Sequence, residues 1–537
     1  MLKGTKKNIT EKNFQENIIF IPRENYDIIE YMTTNGFYYD FNIENFNVDL
    51  IPIDIDLFSL ERENSLKDIY IDNNLSCVSD LANAVVKLET CFGKIRNKYI
   101  KGDIAQSFCD IMKEKERENN LDSRVTGDEI LGMIVFDRSV DFITLMTTNY
   151  TCEGLIDDSF GINLGKIEVK KSLLTENLNQ QPKDNNNKVV DKDKDKIVRY
   201  GLTSDLNPFY CSFRCMHYLD FINYLKNIRE YYQKLFTKKN SNKILTTNDL
   251  KHESEELHYF MNSLKNDLIM SENLINYVTD PLLDKEHKEY IQKEQLLLSG
   301  VMPENLHRFY DDILCEQKNL ISLIKLTVIE SLTQNGVSDY QKLKREILNI
   351  YGYQKIFLFR DLENLGWLKE KQVLKNLKNL TNLTYNQLYE KLQLLNENYD
   401  QKKVEDCSYV LSGYCPISLK IIESAIYGRW NTISDILRKI PGATYCPENE
   451  ELMSNPRKDR NIIFIIFVGG VTYTEIEAIR FLNRKFNEEN LKGKRKKTQF
   501  IILTTCVLNA KKILDNLGKE VSSPFTMRIF YDQTKKK

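Results

Sequence analysis

Five short runs of apolar residues constrain the fold of this chain more than any other feature of its sequence. Unbroken runs of this kind are typical of strands that are buried on both faces of a parallel sheet. Amphipathic helices are predicted next to them, because apolar residues repeat at helical spacing from Leu81 to Phe92 and from Tyr473 to Leu482. This alternation indicates a doubly wound α/β fold. The runs are NIIFIP at 17–22, VDLIPI at 48–53, ILGMIVF at 130–136, NIIFIIFV at 461–468 and FIIL at 500–503.

The middle of the chain, from about residue 205 to 400, has a different pattern. Long charged segments such as CMHYLDFINYLKNIREYYQKLF repeat apolar residues at helical spacing, and no convincing strand separates them. Neither end of the chain has enough strands for a sheet by itself. We therefore expect the strands before and after this all-helical block to share one sheet, with the block inserted into the α/β domain.

Length and charge exclude several classes of protein. A chain of 537 residues is too long for one core and predicts two or three domains. Its formal net charge of -2 gives no overall field that would attract nucleic acid or an anionic membrane. The longest apolar run, at 462–468, is far shorter than a membrane-spanning helix, and the charged N-terminus lacks a secretory signal, so we expect a cytosolic protein. Its 11 cysteines are scattered singly, which suits a reducing compartment.

An Asp-Arg pair ends the third apolar run, and Asp141 follows Asp137 by four residues. A carboxylate at the C-terminal tip of a parallel strand occupies the position at which α/β enzymes place catalytic groups. A phospho-aspartyl nucleophile, however, needs a second Asp two residues later to hold Mg²⁺, and Ser139 stands there. The sequence favours a structural role in which Asp137, Arg138 and Asp141 fix the loop through charge-assisted hydrogen bonds.

Gly469 and Gly470 mark a turn between a predicted strand and a helix. The turn lacks the third glycine of a dinucleotide fingerprint and the Gly-Lys-Ser/Thr of a P-loop. Thr472 and Glu475 instead form a capping box, which satisfies amides that an anion would otherwise occupy. A tight structural turn is favoured, and the alternative is an α/β hydrolase or phosphotransferase that uses Asp137 and this turn.

Other chemistry is weakly supported. Cys211, Cys215 and His217 match no closed zinc motif, and no nucleophile elbow is present. The segment 344–369 is similar to a winged helix but lacks a basic face, so nucleic acid is not expected as a partner. The sequence predicts no catalytic residue, no cofactor and no metal.

Three separated blocks, in order along the chain, resemble signature stretches of the Sec-one/Munc-eighteen (SM) family of SNARE-binding proteins. The phrase EGLIDD, followed by Phe160 and Gly161, resembles the endolysosomal branch, which supplies the SM subunit of the HOPS and CORVET tethering complexes. The resemblance runs from residue 17 onward. The three blocks are VFDRSVDFITLMTTNYTCEGLIDDSFGI from residue 135, SGYCPISL at 412–419 and FVGGVTYTEIEAIRFL at 467–482.

The resemblance implies an SM-family arch, α/β plus all-α, in which a doubly wound parallel-sheet domain is interrupted by a large helical insertion. Only the last strands and a helix of the first α/β domain are expected, and most of that domain is missing relative to the family. An omitted upstream exon would explain this, and genuine loss is the alternative. The implied divisions are 1–60 for this remnant, 61–175 and 405–537 for the two parts of domain 2, 176–198 for a disordered linker and 199–404 for the helical domain 3.

The resemblance also implies a non-enzymatic function carried by surfaces. A helical hairpin within about 213–280 would bind syntaxin-type and vesicle-type SNAREs, and the stripe that we assign to it is Leu225, Ile228, Tyr232 and Leu235. The loop at 412–419 would face an α-solenoid tether subunit through Tyr414 and Ile417. The family's acidic tip is architectural. The protein is expected in the cytoplasm, held on endosome, vacuole or lysosome membranes through its partners.

Overall fold

The computed structural model divides the chain into two compact units, Met1–Ile51 and Pro52–Lys537. The structure describes residues 16–519, except for several short positions and longer segments. The exceptions are 22–23, 25, 47, 96, 119–128, 176–195, 204–205, 207, 241–264, 372–384, 397–403, 405, 448–460 and 493–496.

The first unit contains a two-stranded parallel sheet and one helix. Strand β1 (Glu16–Phe20) pairs with β2 (Phe41–Asn45), and α1 (Tyr26–Thr34) connects them. The expectation that the run at 17–22 is a strand buried on both faces is wrong, because Ile19 and Ile21 are exposed. That the unit is a remnant of a larger domain stays a prediction.

The second unit is built on a seven-stranded sheet in the order β3-β4-β11-β10-β6-β5-β9. The strands β4 and β11, β11 and β10, β10 and β6, and β6 and β5 pair in parallel, whereas β9 pairs with β5 in the antiparallel direction. The predicted parallel sheet is confirmed with an antiparallel strand at one edge. The strands are β3 (Ile51–Asp54), β4 (Leu57–Ser59), β5 (Asn97–Lys101), β6 (Ile130–Asp137), β9 (Thr444–Tyr445), β10 (Asn461–Val468) and β11 (Thr498–Thr504).

The centre of this sheet joins two distant parts of the chain. Strand β6 precedes the helical block and β10 follows it, yet Phe136 pairs with Phe467 in the shared register. Every residue of both strands is buried, as unbroken apolar runs between two layers require. The helical block is therefore an insertion into one α/β fold, as the sequence predicts.

Helices accompany the strands on both sides of the insertion. The helix after β10 buries its predicted apolar stripe, from Tyr473 to Leu482. In the stripe predicted before the insertion, from Leu81 to Phe92, the last residue Phe92 is exposed. The helices before the insertion are α2 (Ser65–Tyr70), α3 (Ser76–Phe92), α4 (Asp103–Glu118), α5 (Cys152–Phe160) and α6 (Lys171–Thr175). Those after it are α16 (Ile417–Ile426), α17 (Trp430–Leu437), α18 (Tyr473–Lys492) and α19 (Ala510–Asn516).

The insertion begins with a two-stranded antiparallel ribbon and continues in helices. The ribbon is β7 (Lys166–Lys170) with β8 (Ile197–Gly201), so the predicted linker at 176–198 ends earlier than expected, and its residues 176–195 lie outside the described part. The helices are α7 (Pro208–Phe213), α8 (Tyr218–Asn240), α9 (Lys265–Thr279), α10 (Lys285–Leu298), α11 (Leu306–Cys315), α12 (Leu320–Thr333), α13 (Tyr340–Tyr351), α14 (Ile356–Asn364) and α15 (Tyr385–Leu392). No helix in the described ranges combines the length and the apolar character that crossing a membrane requires.

Truncation of Ile465 tests the role of β10. This side chain is fully buried at the centre of the sheet, so Ile465→Ala removes contacts on a strand that both halves of the domain share. We expect the free energy of unfolding to fall by ~2–5 kcal/mol. Urea unfolding followed by circular dichroism measures it. Leu491→Ala is the matched control, because Leu491 is 68% exposed, and a similar loss in both variants would contradict the assignment of β10 to the core.

Candidate functional site

The acidic tip of β6 is occupied by backbone amides. The N–H groups of Ile104 and Ala105, in the first turn of α4, donate to Asp137 Oδ2 at 2.8 and 3.3 Å, and Ser139 N–H donates to Oδ1 at 3.0 Å. A carboxylate at a helix N-terminus also interacts favourably with the helix dipole. Because Asp137 is buried and its oxygens are engaged, it acts as a cap on α4 and not as an accessible nucleophile.

Arg138 carries the central buried charge. Its Nη1 atom donates to both carboxylate oxygens of Glu475, at 2.8 and 3.0 Å, and its Nη2 atom donates to the carbonyl of Asp141. Burial would lower the pKa of Arg138, but Glu475 and Asp141 raise the pKa above its usual value. Because Arg138 follows β6 and Glu475 lies in the first turn of α18, this pair fastens the two halves of the domain to each other.

Glu475 has two further structural contacts. It completes the predicted capping box, in which Thr472 N–H donates to Glu475 Oε2 at 3.1 Å and Glu475 N–H donates to Thr472 Oγ1 at 3.3 Å. Ser418, in the first turn of α16, donates to Glu475 Oε1 at 2.6 Å. One carboxylate therefore connects the ends of β6, α16 and α18.

Asp141 continues this network. Thr144 donates to it through N–H at 3.1 Å and through Oγ1 at 2.8 Å, and Ser418 N–H donates at 3.4 Å. Burial raises the pKa of Asp141, and the nearby Arg138 opposes that shift. The three signature residues Asp137, Arg138 and Asp141 thus hold one loop in place through separate contacts.

The Gly469–Gly470 turn has no room for a phosphate cradle. Both glycines have positive φ, and a Cβ atom on Gly470 would meet Leu508 Cδ1 at 2.3 Å. Gly469 N–H donates to Thr505 Oγ1 at 3.2 Å. The turn packs directly on the loop after β11, and the positive φ at both positions is the conformation that favours glycine.

A second buried network was not predicted from the sequence. Arg480 on α18 donates to Asp56 through Nε and Nη2, both at 2.8 Å, and to Glu153 on α5 through Nη1 at 2.8 Å. Arg214, after α7, forms an ion pair with Asp54. Four distant segments therefore meet here, including the start of the helical insertion. The available signal was the pair of acids in IDID at 53–56, directly after an apolar run.

The structure places the predicted tether residues in the interior. Tyr414 is 0% exposed and Ile417 is 4% exposed. Cys415 N–H donates to the carbonyl of Leu394 at 2.8 Å, so the loop packs on the chain after α15. The expectation that Tyr414 is an accessible aromatic anchor is wrong for this reason. A contact of the wider 412–419 loop with a partner stays a prediction.

The predicted SNARE-binding stripe is partly in the core. On α8, Leu225 is buried and Ile228 is partly buried against the core, so a role for the stripe in SNARE binding stays a prediction. The side chains of Tyr232 and Leu235, and the residues 241–264 of the predicted hairpin, lie outside the described part of the chain. The exposed apolar side chains on the described part of α8 are Ile222 and Tyr231.

No group of three or more His, Cys, Asp or Glu residues in the described ranges could hold a metal ion. His217 lies near Cys215, but its Nε2 atom is 3.2 Å from Ser412 Oγ, and burial lowers the pKa of His217 to about 4. Burial also raises the pKa of Cys215 to about 12. A neutral imidazole beside an unreactive thiol fits a packed interior.

Comparison with known proteins decides the family. The Sec1 family profile matches residues 3–516. The chain belongs to the Sec1 family. This match confirms the resemblance to SM proteins. Members of the family are non-enzymatic regulators, so the prediction that the chain is not an enzyme is confirmed and the hydrolase alternative is wrong.

The similar relatives agree with the endolysosomal branch. The chain is 26% identical to the vacuolar protein-sorting-associated protein 33 homolog of Arabidopsis thaliana, over 94% of this chain and 81% of that protein. It is 24% identical to vacuolar protein sorting-associated protein 33A of Rattus norvegicus, over 93% and 81% of the two chains. Its fold is similar to that in the crystal structure of the Unc18–syntaxin 1 complex from Monosiga brevicollis, with a TM-score of 0.58, 12% identity and coverage of 94% and 82%.

Loss of the Arg138 charge should destabilise this Sec1-family chain strongly. Arg138→Met leaves the Glu475 carboxylate buried without its cation, so we expect the free energy of unfolding to fall by ~3–5 kcal/mol. Chemical denaturation measures the change, and adding Glu475→Gln should recover part of it. Arg199→Met is the control, because Arg199 and Glu168 form an exposed pair worth at most ~1 kcal/mol. Equal losses in the two single variants would refute the fastening role.

Asp157 should make stability depend on pH. Burial raises the pKa of Asp157 to about 6, against the opposing effects of Lys512 and a hydrogen bond from Ile162 N–H. The folded chain therefore holds this proton more tightly than the unfolded chain, whose Asp pKa is about 3.9. The contribution to the free energy of unfolding is full below about pH 4 and is lost as pH rises to about 6, by at most ~1.4 kcal/mol per pH unit.

The measurement is the pH profile of the free energy of unfolding of the wild type minus that of Asp157→Asn, from urea titrations. The difference should fall between about pH 4 and 6 and be flat above that. Asp435→Asn, at a side chain that is 91% exposed, is the matched control for the substitution. A flat Asp157 profile would contradict the raised pKa.

Proposed function

We propose that this chain binds SNARE proteins in vesicle-mediated transport and promotes their assembly for fusion at endosome, vacuole or lysosome membranes. Membership of the Sec1 family is the observation that carries the proposal. The vacuolar protein-sorting names of its relatives support the compartment, and the syntaxin complex of the structurally similar Unc18 supports SNAREs as partners. The protein would reach the membrane peripherally, through these partners.

The described architecture supports a binding function. The polar residues at the described strand tips are engaged in buried networks, so the sheet positions the helical insertion. SNARE motifs are amphipathic helices, and a helical surface can bind such a helix along one face. Holding a syntaxin-type and a vesicle-type SNARE side by side would remove much of the orientational cost of nucleating a helical bundle.

We further propose that the chain is the SM subunit of a HOPS- or CORVET-type tethering complex. The resemblance to the endolysosomal branch and the names of the relatives support this assignment. The partner would be an α-solenoid subunit. Since Tyr414 and Ile417 are interior, that subunit would contact the residues that cover them.

Exposed apolar residues on α8 offer the test. Ile222 is 45% and Tyr231 is 50% exposed, so an Asp at either position should leave the fold intact and weaken SNARE binding at least tenfold, by placing a charge at a helix-binding surface. The measurement is calorimetric titration of the full chain with recombinant syntaxin-type and vesicle-type SNARE motifs. Tyr353→Asp, at a 69% exposed position between α13 and α14, is the control.

The outcomes separate the two parts of the proposal. Wild-type binding to neither SNARE class would refute SNARE binding, and equal affinity in all variants would refute the α8 surface. Co-purification with a recombinant α-solenoid tether subunit tests the second part. SNARE binding without solenoid binding would refute the tether assignment alone.

A further inference from the structure

A groove runs along one face of α10 in the helical insertion. Its volume is about 780 Å³, and its helical wall carries Lys285, Lys288, Gln292 and Leu296, spaced three or four residues apart. At 1.5 Å per residue this face is about 16 Å long, or three helical turns. The residues 301–304 close one end. We call this surface the α10 groove.

The C-terminal end of the groove presents a fixed apolar step. Helix α10 ends in a Schellman motif, in which Val301 N–H donates to the carbonyl of Leu296 at 3.0 Å and Gly300 N–H donates to that of Leu297 at 2.9 Å. Gly300 has φ +77°, as the motif requires. The motif brings Leu296 and Val301 together, and these side chains are 41% and 53% exposed. The step is therefore both rigid and accessible.

The N-terminal end of the groove is basic. Lys285 and Lys288 are exposed and form no ion pair within the part of the chain that the structure describes. They lie in the first turn of α10, where the helix dipole already adds positive potential. Asp284 lines a different cavity, together with His287.

The neighbouring acids on α10 already have partners. Glu286 pairs with Lys318, and Glu289 pairs with Lys293 at 3.2 Å. Lys293 also stacks over the Phe309 ring at 5.1 Å. With Glu286 and Glu289 paired elsewhere, the ammonium groups of Lys285 and Lys288 are left for another anion.

We propose that the α10 groove binds an amphipathic helix of a partner protein, with acidic residues over Lys285 and Lys288 and apolar residues over Leu296 and Val301. The length, the basic end and the apolar end match about three turns of such a helix. An anionic membrane fits less well, because the groove offers two lysines without an ion pair among the described residues, whereas basic clusters that bind anionic lipid have about four to eight Lys or Arg residues. The proposal goes beyond SNARE binding by α8, since it assigns a different surface.

The probe is a stapled helical peptide of about three turns that has two Glu residues at one end and Leu residues at the other. A matched peptide has Lys in place of Glu. Fluorescence anisotropy with the full chain should show that the Glu peptide binds at least tenfold more tightly than the Lys peptide. The double variant Lys285→Glu/Lys288→Glu should reverse that preference, and Leu296→Asp should weaken both peptides at least tenfold.

Two controls make the result decisive. Tyr353→Asp/Lys355→Glu alters an apolar and a basic residue outside the groove and should bind as the wild type does, while thermal melting shows which variants are folded. The reversed preference is a gain of binding, which a misfolded variant could not show. Absence of peptide binding, an unreversed preference or equal loss in the control would overturn the proposal.

Other occupants are tested with the same variants. Co-sedimentation with vesicles that contain phosphatidylserine tests a membrane as the occupant. The proposal would be overturned if the wild type bound the vesicles, Leu296→Asp did not bind them, and neither peptide bound the wild type. A second copy of the chain is the other possible occupant. A concentration-dependent dimer that Leu296→Asp abolishes would also overturn the proposal.

Discussion

The buried pair of Arg138 and Glu475 is the contact on which the rest of the structure depends. Arg138 follows β6, and Glu475 lies in the first turn of α18 after β10, so the pair lies where two distant parts of the chain become one sheet. Two charges are costly to bury unless each is hydrogen-bonded. Here the capping box, Ser418 and the Asp141 carbonyl meet that requirement. The pair therefore stabilises only the correct juxtaposition of the two halves.

This arrangement explains how the sheet tolerates a large helical insertion. The entropic cost of closing a loop rises only slowly with its length, so the insertion adds little to the cost of pairing β6 with β10. The Arg480 network then fixes the start of the insertion. Arg214 pairs with Asp54 there, and Arg480 pairs with Asp54, Asp56 and Glu153. Polar groups at positions that are catalytic in many α/β enzymes are used here to hold segments together.

The residues predicted for those surfaces show where sequence reasoning fails. Leu225 and Ile228 repeat at helical spacing, and such a stripe looks the same in sequence whether it faces a partner or the core. Tyr414 was assigned to a partner-facing loop through the resemblance, but tertiary packing buries it. In the same way, the Arg480 network unites acids and arginines that are more than 400 residues apart, such as Asp56 and Arg480. No local pattern encodes that meeting.

The sequence by itself determined the apolar strands, the helical insertion between them, the capping box at Thr472 and the family. The strands, the insertion and the capping box follow from local composition and spacing, since a strand buried on two faces must be apolar throughout and a helix must satisfy its first amides. The family follows from the resemblance of three sequence blocks to known signature stretches. Only the tertiary structure decided which apolar stripes remain accessible, which charges are paired and where a groove opens along α10. Burial depends on what packs over a residue, and that neighbour is usually distant in the chain.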